Sequence, residues 1–513
     1  MIYLSSMASY FLGLDAGTSS CKAALVDACG NLIAEGTGAY RLPPHQSTTD
    51  QDPEALLAGI AQAGRDVLER AGISPADVAG LSLGAAMHSL LAVDARNQPL
   101  TGVMTWADNR AQLQADRLRG TAEGETLYRR TGCPIHPMYP LYKARWLREN
   151  HPEIVRRTAR FVTLRDYALY RLCGVWVTDP SMASSTGWLN LHTLTWDAGS
   201  LAFSGIGTAQ LPEIHPPDAV FPLRPSPLTK ALGLLPGTPV APGCSDGVNS
   251  NLGAGAVRPG QSVLMIGTSG ALRLFSDQPR FHPAQGSWCY AVEAGRFLVG
   301  GAINNGGLAL SVLRNLLTSF PGAPALSVED LLRLAEQVPP GAEGLIALPF
   351  FNGERSPDWN AQVRGAFLGL TPAHRPAHLA RAVLEGVAFR LRAVLEMLEE
   401  TGLSLSEIRA SGGFVRSRLW LSIVASALEH PLSLPASGET SSRGAAFWAM
   451  RAAGALSNFE SLPERITIVE TVPPQPAAQE AYRRLYPLAQ SGYRALLPLY
   501  DALADLNSSP LER

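Results

Sequence analysis

One short pattern occurs twice in this chain, and the repeat is the feature that most limits its fold. Residues 10–15 predict a strand, residues 16–20 a turn, and the apolar residues that follow a returning strand. Residues 263–275 give the same order, and Gly267 lies 250 positions after Gly17. Because 513 residues exceed one ordinary core, the repeat predicts a duplicated α/β domain with one such hairpin in each copy.

The turn of each hairpin carries groups that suit phosphate oxygens. In the first copy these are backbone N–H groups, the hydroxyls of Thr18 and Ser19, and the ammonium of Lys22. Asp15 would repel phosphate, but its carboxylate can hold an accompanying Mg²⁺ through water. The alternative is a tight turn whose small polar residues satisfy their own backbone. Two phosphate-binding turns that face each other would hold a polyphosphate.

Residues 243–247, Gly-Cys-Ser-Asp-Gly, lie near the middle of the chain. Between small residues, the carboxylate of Asp246 can approach a substrate hydroxyl and accept its proton. The same residues satisfy the pattern G-x-S-x-G, so a serine hydrolase with Ser245 as nucleophile is an alternative. That pattern needs a preceding strand, and residues 238–242 contain two prolines, which predict a poor strand.

Polar and aromatic residues follow a predicted strand at residues 78–83. Ligands collect at the carboxyl ends of parallel strands, so His88 is a candidate for binding a hydroxyl. Further on, the ring of Trp106 and the guanidinium of Arg110 together suit a polyol, which has a C–H face and hydroxyl groups. The alternatives are a structural histidine and a tryptophan that closes the core.

Periodic apolar residues predict helices at 53–71, 141–150, 161–172 (amphipathic) and 376–400. On the second of these helices, Lys143 and Arg145 are expected in a solvated basic face. Residues 179–187 predict a polar loop. The pair Gly412-Gly413 could let a flat ligand lie against bare backbone, or it could reflect close packing, which is the interpretation favoured for the small residues 444–446.

Composition excludes several classes of protein. A formal charge of -2, with 46% hydrophobic and 17% charged residues, favours neither nucleic acid nor a membrane surface as a partner. Neither a secretory signal nor an apolar run of ~20 residues is evident, so a cytoplasmic protein is expected. The six cysteines lack C-x-x-C spacing and are interpreted as buried free thiols. The sequence leaves open whether the chain forms a homodimer.

Two further segments, residues 138–147 and 365–385, complete a set of motifs with the loops above. With them the chain resembles the FGGY carbohydrate kinases from about residue 10 to about residue 495. The resemblance implies an α/β fold of two actin-like (ribonuclease H-like) domains, with ATP and substrate in the interdomain cleft and Mg²⁺ bridging phosphates. We therefore expect domains at 8–250 and 251–495 and a tail at 496–513.

The resemblance also implies a role for individual residues. Asp246 is expected to be the general base. Substrate contacts are expected from Met87, His88, Trp106, Arg110, His136 and Asp246, Mg²⁺ contacts from Asp15 and Asp246, and ATP contacts from Gly17, Thr18, Ser19, Lys22, Gly267, Thr268, Asn304, Gly412, Gly413 and Ser417.

The resemblance narrows the substrate. Glycerol kinases typically have Arg-Glu where this chain has Met87-His88, a pair that occurs in both xylulose and gluconate kinases. Residues 84–90, 106–111 and 132–138 look most like those of gluconate kinases. The hypothesis is ATP-dependent phosphorylation of D-gluconate at its 6-hydroxyl. A xylulokinase or other pentulose kinase is the alternative, and an actin-like nucleotide switch without turnover is a remote one.

Gluconate carries a carboxylate at the end opposite the hydroxyl to be phosphorylated. A site for it should contain a cation, and Arg110, His136 and Lys143 are the candidates.

Overall fold

The structure, a computed structural model, describes residues 9–40, 49–322 and 325–508, without the side chains of 504–508. The expected start at residue 8, the segment before it and residues 509–513 of the tail lie outside the described residues. In the first half the elements are β1 Tyr10–Ala16, β2 Ser20–Asp27, β3 Leu32–Ala39, β4 Asp50–Gln51, α1 Pro53–Ala71, β5 Val78–Ala85, β6 Leu91–Asp94, β7 Val103–Met104, α2 Gln112–Asp116, α3 Ala122–Thr131, α4 Pro140–Asn150, α5 Pro152–Arg157, β8 Thr158–Val162, α6 Leu164–Cys173, β9 Val177–Thr178, α7 Pro180–Ser184, β10 Leu189–Asn190, β11 Thr195–Trp196, α8 Ala198–Ser204, β12 Glu213–Ile214, β13 Phe221–Pro222, α9 Pro227–Leu232, β14 Pro239–Ala241 and α10 Asp246–Gly253.

In the second half they are β15 Gln261–Ile266, β16 Gly270–Ser276, β17 Trp288–Glu293, β18 Arg296–Ile303, α11 Gly307–Thr318, α12 Val328–Glu336, β19 Ile346–Leu348, β20 Ala366–Leu368, α13 Pro376–Glu400, β21 Glu407–Ser411, α14 Arg418–Leu428, β22 Leu432–Pro435, α15 Thr440–Ala452, α16 Leu462–Arg465, β23 Ile468–Val472 and α17 Pro476–Ser508.

Two mixed sheets form the centres of the two halves. The first has the strand order β13-β14-β5-β1-β2-β3 and the second β17-β18-β16-β15-β21-β22-β23. In each sheet an antiparallel hairpin, β1-β2 or β15-β16, places its first strand parallel to a later strand, β5 or β21. The prediction of two related actin-like α/β domains is confirmed.

Helix α15 belongs to the second half in sequence but packs on β1 and β5 of the first sheet and on α10. Small residues permit this contact, since a Cβ at Gly13 would lie 2.0 Å from the Ser442 carbonyl oxygen and one at Gly444 1.9 Å from that of Asn249. The expected boundary at 250/251 therefore separates the two sheets but not this helix. The expected boundary at 495/496 falls inside α17.

Two local predictions need correction where charged residues are buried. The helix predicted at 161–172 is present as α6, but it begins only after the end of β8, at a capping box between Thr163 and Asp166, and it is buried on most sides rather than amphipathic. Residues 179–187 are not only a loop, because Asp179 caps α7. Arg165 of α6 is fully buried and pairs with Asp179 at 2.5 Å. The polarity of Arg165 and Asp179 suggested that they face solvent. In the structure the two charges pair with each other inside the domain.

The predicted solvated face of α4 is wrong for Lys143. Its side chain is fully buried, and Nζ donates to the carbonyl oxygens of His88 at 2.9 Å and Thr105 at 2.6 Å. Both carbonyl oxygens lie outside the strands, in a part of the chain distant from α4. No residue pattern within α4 could indicate that they would accept hydrogen bonds from Lys143. Arg145 is half-buried and pairs with Glu149 at 2.5 Å.

All six cysteines are free thiols, as predicted, but Cys29 is exposed rather than buried. Among helices in the described part of the chain, none has both the length and the apolar character that a membrane crossing requires.

Candidate active site

A cavity of about 300 Å³ lies between the two halves of the chain. The residues predicted to bind ligand that line it are Thr18, Ser19, Met87, His88, Trp106 and Asp246 from the first half and Thr268 from the second. Both hairpin turns therefore reach one cavity, together with the central carboxylate.

Asp246 is the first residue of α10, and its carboxyl group lines the cavity. Its Oδ1 accepts a hydrogen bond from the Gly247 N–H at 2.8 Å. Burial raises the pKa of Asp246, and the nearby charge of Arg273 opposes that shift. A carboxyl group whose pKa is brought toward neutrality is better suited to accept a proton than an ordinary surface aspartate.

Asp15 is the last residue but one of β1, close to the Asp246 carboxylate, and is buried. Burial and the charge of Asp246 raise the pKa of Asp15 to about 7, against the opposing charge of Lys22. Its Oδ1 has no hydrogen-bond partner among the described residues. Hard carboxylate oxygens left unpaired fit Mg²⁺, which is commonly held by one or two carboxylates plus phosphates. In agreement, the described residues contain no group of three or more His, Cys, Asp or Glu side chains that could hold a metal ion alone.

The first hairpin turn is joined to the predicted sugar side of the cavity. Trp106 Nε1 donates to Thr18 Oγ1 at 2.9 Å, and Gln51 Nε2 donates to the Thr18 carbonyl oxygen at 3.0 Å. The Gly17 N–H donates back within the turn, to Ser20 O at 3.1 Å. Lys22 does not line the cavity and pairs with Glu439 at 2.7 Å, so its ammonium would have to leave or share this partner to reach a phosphate.

The second hairpin turn packs against the start of α11. The N–H groups of Gly306 and Gly307 donate to the carbonyl oxygens of Thr268 and Gly267 at 3.1 and 2.7 Å. A Cβ at Gly306 would lie 2.6 Å from the Ser269 carbonyl oxygen, so only glycine permits this approach. The contact fixes the turn whose Thr268 lines the cavity.

Other residues of the second half that were predicted to bind nucleotide do not line the cavity. Gly412 has φ +91° and follows β21, where a Cβ would lie 2.5 Å from the Ile266 carbonyl oxygen of β15; Gly413 comes next. Ser417 caps α14 by accepting from the Trp420 N–H at 3.2 Å. The side chain of Asn304 donates to the Asn352 carbonyl oxygen at 2.9 Å.

His88 lies buried at the cavity wall with a left-handed backbone, φ 68°. Its Nε2 is 2.9 Å from the Tyr290 hydroxyl, which is 3.0 Å from the hydroxyl of Tyr139. Burial, followed by the charge of Lys143, lowers the pKa of His88 well below its usual value. The imidazole is therefore neutral at pH 7 and can exchange hydrogen bonds with hydroxyl groups.

Arg110 and His136 do not line the cavity. The guanidinium of Arg110 pairs with Asp108 at 2.6 Å and with Asp50 at 3.2 Å. His136 Nδ1 accepts from the Met138 N–H at 3.3 Å, and burial lowers the pKa of the ring.

Sequence reasoning missed four large side chains that line the cavity: Arg273, Trp288, Arg355 and Trp359. For Arg273 a signal existed, since it is the one charged residue in the apolar strand β16. Arg355 follows β19 in a segment whose polar composition is typical of a loop.

Ser245 is not placed to act as a nucleophile. It is fully buried, and its Oγ has no hydrogen-bond partner among the described residues, so a base to activate it is lacking there. The argument from prolines was wrong in one respect, because residues 239–241 do form the strand β14, which lies between β5 and the edge strand β13.

The fold and this cavity define a class of protein. Two related domains, a Gly-Thr-Ser turn from each and a partly buried carboxylate at a shared cavity are the parts of a phosphotransferase that acts on an alcohol group.

Comparison with known proteins identifies the family. The chain matches the N-terminal domain of the FGGY family of carbohydrate kinases at residues 10–253 and the C-terminal domain at residues 263–453. It therefore belongs to the FGGY family of carbohydrate kinases, whose members are ATP-dependent sugar kinases. A nucleotide switch without turnover is excluded.

Individual relatives match over nearly their whole length. A gluconokinase of Bacillus licheniformis is 36% identical over 98% of this chain and 99% of its own. A xylulose kinase of Bacillus subtilis is 28% identical over 98% of each chain. A crystal structure of gluconate kinase from Lactobacillus acidophilus has a TM-score of 0.89 and 32% identity, covering 97% of this chain and 100% of that one.

Proposed function

We propose that the protein transfers the terminal phosphoryl group of ATP to the 6-hydroxyl of D-gluconate and releases 6-phospho-D-gluconate and ADP. The observation that carries the proposal is the partly buried carboxylate of Asp246, which lines a cavity reached by both hairpin turns. The gluconokinase and gluconate kinase among the relatives support the choice of acceptor.

In the proposed mechanism Asp246 accepts the proton of the acceptor hydroxyl as its oxygen attacks the γ-phosphorus. The turns at Thr18 and Thr268 hold the phosphates with backbone N–H and hydroxyl groups. Mg²⁺, held by Asp15 and Asp246, would compensate phosphate charge. The chain itself supplies positioning and a water-poor cavity, on which phosphoryl transfer depends.

An acceptor panel tests the substrate. ADP release is measured with gluconate, xylulose, ribulose, glycerol and no acceptor, at fixed ATP and Mg²⁺. The expected result is the highest kcat/KM with gluconate. Because a xylulose kinase aligns over the same length, xylulose is the serious competitor. ADP release with xylulose and none with gluconate would replace the proposal by a pentulose kinase.

Asp246→Asn tests the general base. The amide is nearly the same size but cannot take the proton, so kcat should fall by roughly 10²- to 10⁴-fold. Gluconate affinity, measured by calorimetry, should change little. Full turnover in this variant would assign the base to another residue.

A further inference from the structure

Two guanidinium groups line the cavity, and they lie in different surroundings. Arg273 comes from β16, and its Nη1 donates to the carbonyl oxygen of Gly247, the residue that follows Asp246, at 3.3 Å. Arg355 comes from the loop after β19, and its Cζ lies 5.1 Å from the ring centroid of Trp106. One arginine is therefore beside the proposed base, and the other lies against the aromatic wall.

The Arg355 guanidinium has donor capacity that the chain does not use. Its Nη2 donates to the Ile303 carbonyl oxygen at 3.0 Å, whereas its Nε is buried and has no partner among the described residues. The charge of the neighbouring Glu354 acts on the guanidinium, but Glu354 Oε1 accepts from the backbone N–H groups of Asn304 and Arg355 at 2.6 and 2.9 Å rather than from the Arg355 side chain. Because the Nε of this half-buried guanidinium has no partner among the described residues, an anionic ligand would supply the acceptor it lacks.

The other cations near the cavity are already engaged. Lys143 Nζ donates to backbone carbonyl oxygens, and Arg110 pairs with Asp108 and Asp50. Neither lines the cavity, and neither does His136. Arg273 and Arg355 are the cations that a ligand in the cavity can reach among the described residues.

The length of the acceptor decides between these two arginines. In an aldonate of six carbons the carboxylate and the reacting hydroxyl are at opposite ends of the chain. Arg273 touches the residue next to Asp246, so it lies at the reacting end. We infer that Arg355, held over Trp106, binds the carboxylate of the acceptor and makes the enzyme prefer a sugar acid to a neutral polyol of equal length.

This inference rests on the proposed function and deepens it. Arg355 comes from the second half of the chain, whereas Trp106 comes from the first and is hydrogen-bonded to Thr18 of the first hairpin turn. A carboxylate bound by Arg355 would thus lie against the ring of Trp106, on the side of the cavity where the two halves meet. The contact between Arg355 and Trp106, which joins the two halves, would therefore also distinguish a charged acceptor from a neutral one.

The test compares D-gluconate with D-gluconamide, in which a neutral amide replaces the carboxylate at the same chain length. kcat/KM is measured for both acceptors in the wild type, Arg355→Gln and Arg273→Gln. Arg355→Gln should lose roughly 10- to 100-fold with gluconate, the effect of removing a charge-assisted hydrogen bond, and change less than about threefold with gluconamide. Arg273→Gln should lower both values by similar factors.

Each outcome has one interpretation. An unchanged gluconate-to-gluconamide ratio in Arg355→Gln, or a ratio that collapses in Arg273→Gln instead, overturns the inference and leaves the proposed function standing. Wild type that phosphorylates neither acceptor but does phosphorylate xylulose refutes the proposed function itself.

A charge-retaining variant separates recognition from folding. Arg355→Lys keeps the cation but loses the planar fork, so it should recover part of the preference for gluconate. ATP affinity and thermal unfolding of both Arg355 variants show whether the cavity is intact. A folded Arg355→Lys with no more preference than Arg355→Gln would contradict a role based on charge.

Discussion

Two carboxyl groups, Asp15 and Asp246, and two guanidinium groups, Arg273 and Arg355, dominate the electrostatics around the cavity. Burial raises the pKa values of Asp15 and Asp246, and Arg273 opposes the shift at Asp246. The arginine thus keeps the proposed base ionised at a lower pH than burial alone would allow.

Replacing Arg273 by glutamine should move the acid limb of the pH–rate profile. Without the positive charge the pKa of Asp246 rises further, so activity should be lost at a higher pH than in the wild type. The measurement is kcat between pH 5 and 9. Arg451→Gln is the matched control, since this arginine pairs with Glu293 and does not line the cavity. Coincident acid limbs in wild type and Arg273→Gln would contradict the assignment.

Lys143→Met should destabilise the fold by about 2–4 kcal/mol. The substitution removes the Lys143 donor from the His88 carbonyl oxygen, whereas the Thr105 carbonyl oxygen keeps the Asp108 N–H at 3.1 Å, and a buried acceptor that loses its donor is costly. Urea unfolding at pH 7 measures the difference.

The difference in unfolding free energy between the wild type and Lys143→Met should also depend on pH. Burial lowers the pKa of Lys143 to about 7, so between pH 7 and about 10 the unfolded chain binds a proton that the folded chain has released. Wild-type stability relative to Lys143→Met should therefore rise with pH, by about 1.4 kcal/mol per pH unit. A difference in unfolding free energy that stays constant from pH 7 to 9 would mean that the ammonium remains charged in the folded protein.

At the scale of single elements, prediction succeeded where apolar spacing alone decides the structure. Helices α1 and α13 have the predicted bounds because their apolar residues recur at helical spacing along one face. Helix α6 is also present close to its predicted bounds, but its predicted solvent-facing side is absent, since Arg165 and Asp166 are buried and Arg165 pairs with Asp179 at the start of α7. Hydrophobic periodicity shows where polar residues occur along the chain. It does not show which distant residue will pair with a polar side chain that becomes buried.

Gly444→Ala should destabilise the fold by about 2–3 kcal/mol. The added Cβ would meet the Asn249 carbonyl oxygen at 1.9 Å, so α10 and α15 would have to move apart. Gly438→Ala, just before α15, is the control because a Cβ there has no heavy atom within 4 Å, and it should change stability by less than about 0.5 kcal/mol. Equal unfolding free energies for the two variants would contradict this account of the contact.

For the whole molecule, the cavity depends on both halves at once. Ligands that bind across it should favour approach of the two sheets and exclude water, which competes with the sugar as phosphoryl acceptor. Helix α15 belongs to the second half of the chain but packs on the first sheet. In such a movement we expect it to stay with the first sheet.

Ligand pairs should therefore stabilise the molecule more than additively. At 100 times its Kd each ligand contributes about 2.7 kcal/mol by mass action, and closure would add to the sum. Calorimetry with ATP and Mg²⁺, with gluconate, and with all three measures the excess, and small-angle scattering should show a smaller radius of gyration when all are present. Strictly additive stabilisation with an unchanged radius would argue against closure.

The sequence by itself determined the duplicated domain, the two hairpins, the main helices, the family resemblance and the central position of Asp246. These features depend on residues close together in the chain, whose spacing and small size fix the local backbone. Only the tertiary structure decided that Lys143 is buried, that α15 packs on the first sheet, and that Arg273 and Arg355 face the cavity. Each of these depends on a partner far away in sequence, and a local pattern records that a polar group exists but not what satisfies it.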